Sequence, residues 1–296
     1  MSTRKSDQAL AAINLLNLGS PPETCVALAA EWARRSRERS GSRIAAKIAD
    51  YDLAVPDAAG SLFLSFHHSD YGIIYPALAA ATGAPVYAII GAQEPGHAQA
   101  LTSLAASADC DLRFIESGLS MVKQARRVMV AGSAVLLLID VPWTQNGAPT
   151  NTSYSCGPGA MLAHASLARL ISLISKAPKG VLTEPDPAPG RMVVFECPDL
   201  SVAYARFGQT LMRSPSDYER LDKLHRYFRP NRHVNSVVCF AAGNDEFALH
   251  GPSGAAWRLN RGVVEAITSD ADPRGEAWRA AFTRLVGSDV DVVIAL

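Results

Sequence analysis

Short apolar runs alternate with stretches of helical spacing between residues 61 and 139. The runs have the length of buried strands and lie at 61–66, 85–90 and 134–139, and a further short strand is predicted at 111–115. Patterns typical of helices separate them, at 71–82, 97–108 and 118–131. This alternation predicts an α/β fold with a mainly parallel sheet flanked by helices. We expect the runs at 61–66, 85–90 and 134–139 to lie in one sheet.

The remaining chain divides into segments of different character. Residues 5–50 have a helical composition, and a helix is predicted from Gly157 to about Ser175, followed by strands near 180–183 and 191–196. After Pro230, short strand candidates separated by glycine turns predict a small α+β unit; they lie at Val237–Ala242, Glu246–His250, Ala255–Leu259 and Val290–Leu296. We therefore predict two units. Residues 1–230 form an α/β domain that begins with a helical segment, and residues 231–296 form a small C-terminal α+β subdomain.

A polar cluster follows the first of the buried strands. The run 61–66 is followed at once by His67, His68, Ser69 and Asp70. Open parallel sheets bind ligands at the carboxyl ends of their strands, so this cluster is a candidate reaction centre. A neutral histidine is a suitable base near pH 7. Residues three apart share a helix face, so Asp70 is expected to reach the ring of His67.

A second strand also ends in a carboxylate. The run 134–139 is followed by Asp140 and then by a polar loop over 141–157, whose length and turn-rich composition are typical of a functional loop. Two interpretations of Asp140 remain open. It either caps and orders this loop or acts directly in the site.

Three motifs in this order resemble the bacterial lipid A biosynthesis acyltransferases, the lauroyl/myristoyl transferase family. The first is Phe66–Tyr71 after a strand, the second joins Val135–Pro142 to Ser155–Ala160, and the third is Ser214–Phe228. The family has a strand ending in a His-Phe-Gly-Asn-Trp-Glu-like motif, then an apolar strand ending in Asp and a Thr-Gly-Pro-like helix start. It closes with a Pro-Glu-Gln-Tyr…His-Arg-Arg-Phe-like segment. The resemblance covers roughly residues 10–230.

The sequence departs from the family at the acidic partner of the histidine. The family places an acidic residue five positions after its catalytic histidine, whereas Gly72 and Ile73 stand five positions after His67 and His68. Neither side chain can orient an imidazole, which leaves Asp70 as the nearest carboxylate in sequence. The family also carries an N-terminal membrane anchor, which we do not expect here.

The resemblance implies transfer of a fatty acyl group from a thioester to a hydroxyl or amine. His67 is then the general base and Asp70 its partner. The expected substrate-binding residues are His68, Tyr71, Asp140, Gly157 and Gly159. Backbone amides at a helix start over 157–160 are expected to face the developing oxyanion. An apolar channel for the acyl chain is expected beside the site, lined by Phe66, Tyr71, Ile74 and Tyr75.

The resemblance also sets the expected partners. The donor is an acyl thioester of acyl carrier protein or coenzyme A, and the acceptor is a small molecule, a lipid or a peptide. Neither a cofactor nor a metal ion is expected.

Charge and cysteine usage narrow the class of protein. With 28 basic and 28 acidic residues the chain has no formal net charge, which argues against nucleic acid as a partner. The basic run Arg34–Arg43 is either a solvated helix end or a surface for acidic lipid headgroups or an acidic carrier protein.

The five cysteines are scattered without a CxxC pair, which fits a reduced compartment and argues against a zinc site. We expect a cytoplasmic protein without a transmembrane segment, with peripheral contact to the inner membrane left open.

Other functions compete with the acyltransferase hypothesis. The absence of a carboxylate at Gly72 favours an acyltransferase fold that has lost catalysis and binds an acyl chain, a carrier protein or a peptide. The segment Phe247–Asn260 resembles the small peptide-chaperone modules of modified-peptide pathways, which would make the chain a tailoring enzyme. Paired histidines also occur in the HHxxxDG motif of peptide-synthetase condensation enzymes. The required aspartate would fall at Gly72, and the chain is too short for that two-lobed fold.

Overall fold

The computed structural model describes residues 3–38, 47–90, 95–117, 120–140, 151–173, 177–184, 189–269 and 273–296. The chain forms two compact units. The parallel-sheet unit comprises residues 37–156 and 161–211, and the terminal unit comprises residues 1–36, 157–160 and 212–296.

The strands are β1 Tyr51–Asp52, β2 Leu62–Ser65, β3 Val86–Ile90, β4 Leu112–Glu116, β5 Val135–Leu138, β6 Asn151–Cys156, β7 Gly159–His164, β8 Lys179–Glu184, β9 Gly190–Glu196, β10 Phe228–Pro230, β11 Ser236–Ala242, β12 Asp245–His250, β13 Ala256–Leu259 and β14 Val292–Ala295. The α-helices are α1 Thr3–Asn17, α2 Pro22–Glu38, α3 Ile74–Thr82, α4 Pro95–Ser107, α5 Met121–Val130, α6 Ala165–Ser172, α7 Leu200–Arg213, α8 Val263–Thr268 and α9 Pro273–Val286. Short 3₁₀ turns lie at Ile48–Asp50, Tyr71–Ile73, Pro215–Asp217 and Leu221–Arg226.

The parallel-sheet unit is built on a large, mostly parallel sheet in the order β1-β9-β8-β2-β5-β3-β4. Strand β2 pairs in parallel with both β5 and β8, and β3 pairs in parallel with β4 and β5. Strand β9 is antiparallel to β8. The predicted α/β architecture is confirmed at this level, and the runs predicted at 61–66, 85–90 and 134–139 do share one sheet.

The apolar runs become central strands because both of their faces are covered. All residues of β2 and β5 are buried, as expected for parallel strands with helices on both sides of the sheet. On one face, Phe63 and Leu136 pack with Ile74 and Tyr75, which belong to α3. Helix α3 ends where Gly83 adopts a left-handed conformation (φ 60°), a common helix stop. This packing places the ends of β2 and β5 side by side.

The prediction of a helix from Gly157 to about Ser175 is wrong for residues 157–164. Residues 151–156 and 159–164 are strands, Gly157 is in a turn between them with φ 59°, and α6 begins only at Ala165. Proline and glycine favour helix starts, but they also favour tight turns. The burial of alternate residues Gly159, Met161 and Ala163 shows the period of two that is typical of a strand.

The terminal unit contains a second sheet in the order β13-β12-β11-β14. Its strands occupy the positions predicted after Pro230, and its core includes Val237, Cys239 and Phe282. His250 is held inside this unit by hydrogen bonds with Asn235 Oδ1 (2.6 Å) and Ser253 Oγ (2.7 Å). Its role is therefore structural.

Helices α1 and α2 also belong to the terminal unit, although the predicted boundary at residue 230 grouped them with the large sheet. Specific hydrogen bonds explain this grouping. Asn14 Nδ2 donates to the carbonyl of Leu221 (2.6 Å), and Trp32 Nε1 donates to that of Glu219 (3.3 Å). Sequence periodicity identifies such helices but carries no information on which distant segment they contact.

The described part of the basic run 34–43 is largely neutralised. Arg34 and Arg35 both bind Glu31 and hold the pKa of its carboxyl at about 2, and Arg35 also pairs with Asp217. Residues 39–46 lie outside the described residues. Among the helices that the structure describes, none has the length and apolar character needed to cross a bilayer.

Candidate active site

The carboxyl ends of β2 and β5 lie side by side at the point where the direction of strand addition in the sheet reverses. In this sheet the strand that follows β2 in sequence, β3, lies on the β5 side of β2, whereas the next strand of the sheet after β5, β8, lies on the opposite side of β2. Such a switch point between adjacent parallel strands is the usual ligand crevice of an open α/β sheet. The residues that directly follow these two strands are therefore candidates for the site.

His67 and Asp140 form a buried hydrogen-bonded pair at this switch point. The ring nitrogen His67 Nδ1 lies 2.9 Å from Asp140 Oδ1 and 3.1 Å from Oδ2, and the His67 backbone N–H donates to Oδ2 at 3.2 Å. His67 is 3% exposed and Asp140 is fully buried. Because a carboxylate only accepts hydrogen bonds, Nδ1 carries the proton. In the neutral ring, Nε2 is then the basic nitrogen.

Strand register brings these two residues together. Ser65 lies opposite Leu138 in the parallel ladder, and the Ile139 N–H donates to the Ser65 carbonyl at 2.9 Å. Two residues further along each strand, His67 and Asp140 come to the same level. A contact between residues 73 positions apart is thus fixed by the pairing of β2 with β5.

Asp70, the predicted partner of His67, binds elsewhere. Its carboxylate accepts hydrogen bonds from Lys47 Nζ at 3.0 and 3.2 Å and from the Tyr51 hydroxyl at 3.0 Å. The helix-face argument does not apply here because Ser69 adopts a left-handed conformation (φ 53°) between the two residues. Residues 67–70 are therefore not helical, and positions 67 and 70 do not share a helical face.

The two adjacent histidines have different surroundings. His68 Nδ1 is 2.7 Å from Ser69 Oγ, and its ring meets Phe207 edge-on at 6.1 Å. The His67 ring instead packs edge-on against Tyr71, with ring centroids 5.1 Å apart. Tyr71 thus lies against the ring of His67, as a residue of the site should, while the substrate roles of Tyr71 and His68 stay predictions.

Tyr204 of α7 holds both strand ends that precede the pair. Its hydroxyl donates to the carbonyl of Ile139 at 2.6 Å, and its ring meets Phe66 edge-on at 5.6 Å. Tyr154 stacks on the Tyr204 ring itself, with ring centroids 5.0 Å apart. Burial and the charge of Asp140 raise the pKa of Tyr204, so the hydroxyl stays a donor. Tyr204 was not predicted as a site residue, because its only signal in the sequence is its place on the apolar face of a helix.

The predicted apolar channel is not formed by the four residues named for it. Ile74, Tyr75 and Tyr71 belong to the hydrophobic core on one face of the sheet. Phe66 is three residues after the core residue Phe63, so the two side chains face opposite sides of the sheet. The Phe66 ring stacks on Phe207, with ring centroids 3.9 Å apart. Residues 141–150 of the polar loop predicted over 141–157 lie outside the described residues.

Gly157 and Gly159 do not begin a helix. The backbone amides of 157–160 are therefore not at a helix N-terminus, which was the reason to expect them to stabilise an oxyanion. A side chain at Gly159 would approach within 2.3 Å of the Arg229 carbonyl oxygen and 2.5 Å of the Phe228 ring. Gly159 therefore allows close packing on β10 within the terminal unit. The substrate-binding roles of both glycines stay predictions.

Cys156 is a buried thiol near Asp140. Burial, with the negative charge of Asp140 adding to it, raises the pKa of Cys156 to about 12. The thiolate needed for nucleophilic attack is therefore scarce at neutral pH. We therefore interpret Cys156 as a structural residue.

Cys156→Ala is expected to keep at least half of the wild-type turnover, because the thiol does not take part in the chemistry. The deletion of one buried sulfur is expected to lower the melting temperature by a few degrees. Steady-state rates and thermal unfolding of the purified variant check this. A loss of activity in a folded protein would make Cys156 a nucleophile.

Asp70→Asn is expected to lower activity less than tenfold, because Asp70 anchors Lys47 and Tyr51 instead of the base. The Lys47 side chain is 49% exposed and that of Asp70 14%, and ion pairs at protein surfaces contribute about 0–1 kcal/mol to stability. Rates and unfolding free energies of the variant test this. A drop as large as that from loss of His67 would restore Asp70 to the reaction centre.

No family of known proteins has a sequence profile that matches this chain, and no curated protein matches it in sequence. From its fold and its site, the chain is a mixed α/β protein with a buried His–Asp pair at the carboxyl edge of a mostly parallel sheet. Among the described residues, no group of His, Cys, Asp and Glu side chains is arranged to hold a metal ion.

Proposed function

We propose that this chain is an acyltransferase that moves a fatty acyl group from a thioester to a hydroxyl or amine, with His67 as the general base. The observation that carries the proposal is the buried contact of His67 Nδ1 with the Asp140 carboxylate at 2.9 and 3.1 Å. Asp140 takes the orienting role that the sequence analysis assigned to Asp70. A carboxylate in this position fixes the tautomer of the base and stabilises the imidazolium that forms.

The proposed reaction has two steps that share one proton. The acceptor oxygen or nitrogen attacks the thioester carbon while His67 Nε2 takes its proton, and a tetrahedral intermediate forms. The carbon–sulfur bond then breaks, and the imidazolium returns the proton to the leaving thiolate. The products are an ester or amide and a free thiol, and His67 ends as neutral as it began. A positioned base of this kind contributes about 10²–10⁴-fold to the rate.

The choice of acyl transfer over other base-catalysed reactions rests on the co-linear motifs. The apolar strand ending in Asp is one of them, and it delivers the carboxylate to His67 here. This contact supports catalysis by His67 despite the absence of a carboxylate at Gly72. The proposal retains a donor bound to acyl carrier protein or coenzyme A and a cytoplasmic site of action.

A thiol-release assay tests the proposal. Purified protein is mixed with long-chain acyl-coenzyme A, or with acyl carrier protein bearing the same chain, at pH 7.5. The free thiol is followed with a chromogenic disulfide, with and without amine and alcohol acceptors. We expect turnover that depends on protein concentration and on an intact His67. No release above the protein-free rate with either donor would reject the enzyme.

The depth of the pair favours a second candidate function, binding without catalysis. His67 is 3% exposed and Asp140 is fully buried, which suits a pair that organises a binding site. A fluorescent fatty acid that is displaced by unlabelled fatty acid, in protein that releases no thiol, would support this alternative.

A further inference from the structure

Two buried hydroxyls near the His67–Asp140 pair have no hydrogen-bond partner within the part of the chain that the structure describes. They are Ser65 Oγ, in a residue 1% exposed, and Thr183 Oγ1, in a residue 2% exposed. Buried hydroxyls are nearly always paired, because an unpaired one loses its hydrogen bonds to water without replacement. Such a pair of exceptions at one place calls for a ligand that satisfies them.

Strand register places both hydroxyls beside the base. Phe63 lies opposite Leu136 on β5 and opposite Lys179 on β8. Continuing both ladders by four residues brings Thr183, His67 and Asp140 to one level across β8, β2 and β5. Thr183 is then the neighbour of His67 on the side away from Asp140.

Side-chain alternation puts the hydroxyls on the same face of the sheet. Phe63, Leu138 and Val181 belong to one hydrophobic core, so residues two positions from them along each strand face the same side. Ser65 is two residues from Phe63, and Thr183 is two from Val181. Ser65 therefore lies two residues before His67 on the same face, and Thr183 lies on this face of the neighbouring strand β8.

We propose that Ser65 and Thr183 form an oxygen-binding subsite that receives the carbonyl oxygen of the acyl thioester. This inference rests on the proposed function and replaces the oxyanion donors once expected at Gly157. Each hydroxyl has one O–H to donate. When the acceptor attacks, the carbonyl electron pair moves onto this oxygen, and both O–H groups stabilise the charge. The pair returns to the carbonyl as the carbon–sulfur bond breaks.

Paired variants test the subsite. Thr183→Val and Ser65→Ala remove one hydroxyl each and keep the packing, and each is expected to lower kcat by about 10²–10³-fold. The KM for the thioester should rise by no more than about tenfold, the effect of one lost ground-state hydrogen bond, and the larger loss should lie in kcat because the oxygen gains its charge only after binding. Thr183→Ser restores the hydroxyl and should recover at least a third of the rate.

Thermal unfolding separates this role from a structural one. Replacing an unpaired buried hydroxyl by an apolar group of similar shape is neutral or stabilising, so Thr183→Val and Ser65→Ala should keep or raise the melting temperature. The matched control is Ser61→Ala at the other end of the same run, where Ser61 Oγ donates to the Asp57 carbonyl at 2.9 Å. It should lower the melting temperature and leave kcat unchanged. Equal losses of stability in all three variants would reject the subsite.

Binding of a non-cleavable analogue separates failure of the subsite from failure of the proposed reaction. The probe is an acyl ketone in which a methylene replaces the thioester sulfur, measured by calorimetry. Loss of one hydrogen bond should weaken its binding to Thr183→Val about fivefold to tenfold. If thiol release requires His67 but both hydroxyl variants match the wild type in rate and affinity, the subsite is rejected alone. If nothing is released yet analogue binding needs the hydroxyls, the acyltransferase is rejected and the carbonyl subsite stands.

Discussion

His67→Asn is expected to lower kcat for thiol release by about 10²–10⁴-fold while the protein stays folded. Asparagine removes the basic Nε2 but keeps an amide N–H near the position of Nδ1, where it still donates to Asp140. His67→Ala is less suitable, because an unpaired buried carboxylate destabilises a protein by about 3–5 kcal/mol. Initial rates with saturating thioester, with circular dichroism as the test of folding, measure the effect.

His68→Asn is the matched control for this prediction. The same change is made one residue away, at a ring that contacts Ser69 and Phe207. We expect its kcat to stay within about tenfold of the wild type. An inactive His68→Asn beside an active His67→Asn would move the base by one residue and shift the alignment of the motifs.

Asp140→Asn is expected to lower kcat by about 10²–10⁴-fold without unfolding the protein. The asparagine oxygen can still accept the His67 backbone N–H, so its NH₂ group faces the ring. The ring must then accept at Nδ1 and carry its proton on Nε2, which is the wrong tautomer for a base. Rates measure the loss, and nitrogen-15 spectra of labelled histidine report which ring nitrogen holds the proton.

Two results would contradict this assignment of Asp140. One is an active Asp140→Asn variant, and the other is an inactive variant whose His67 ring keeps the wild-type tautomer. Asp70→Asn is the comparison, because its carboxylate is bound to Lys47 and Tyr51 and its loss should leave the tautomer unchanged.

Much of the fold was predictable because the central strands are buried on both faces. Runs such as 134–139 are apolar without interruption, and that property depends on the local sequence alone. The hairpin at 151–164 was not predictable in the same way. Gly157 and Pro158 suit a turn and a helix start equally well, and pairing with neighbouring strands decides between them.

The site was predictable in its location but only partly in its composition. His67 and Asp140 each follow an apolar strand, and both were named from that position alone. Their contact required the register of β2 against β5, and the contribution of Tyr204 required α7 to pack on the ends of those strands. The Thr183 hydroxyl, which has no hydrogen-bond partner among the described residues, carried no sequence signal, because threonine is common in β-strands generally.

The sequence by itself determined the elements that local physics controls: which runs are buried strands, which segments are helices, and at which strand ends polar chemistry collects. Tertiary structure alone decided which polar groups meet. The side chains of His67 and Asp70 are three residues apart, yet the left-handed turn at Ser69 separates them. Asp140 reaches the same ring across 73 residues because parallel pairing aligns two strand ends. Such pairing energies arise between segments distant in sequence, so no local pattern records them.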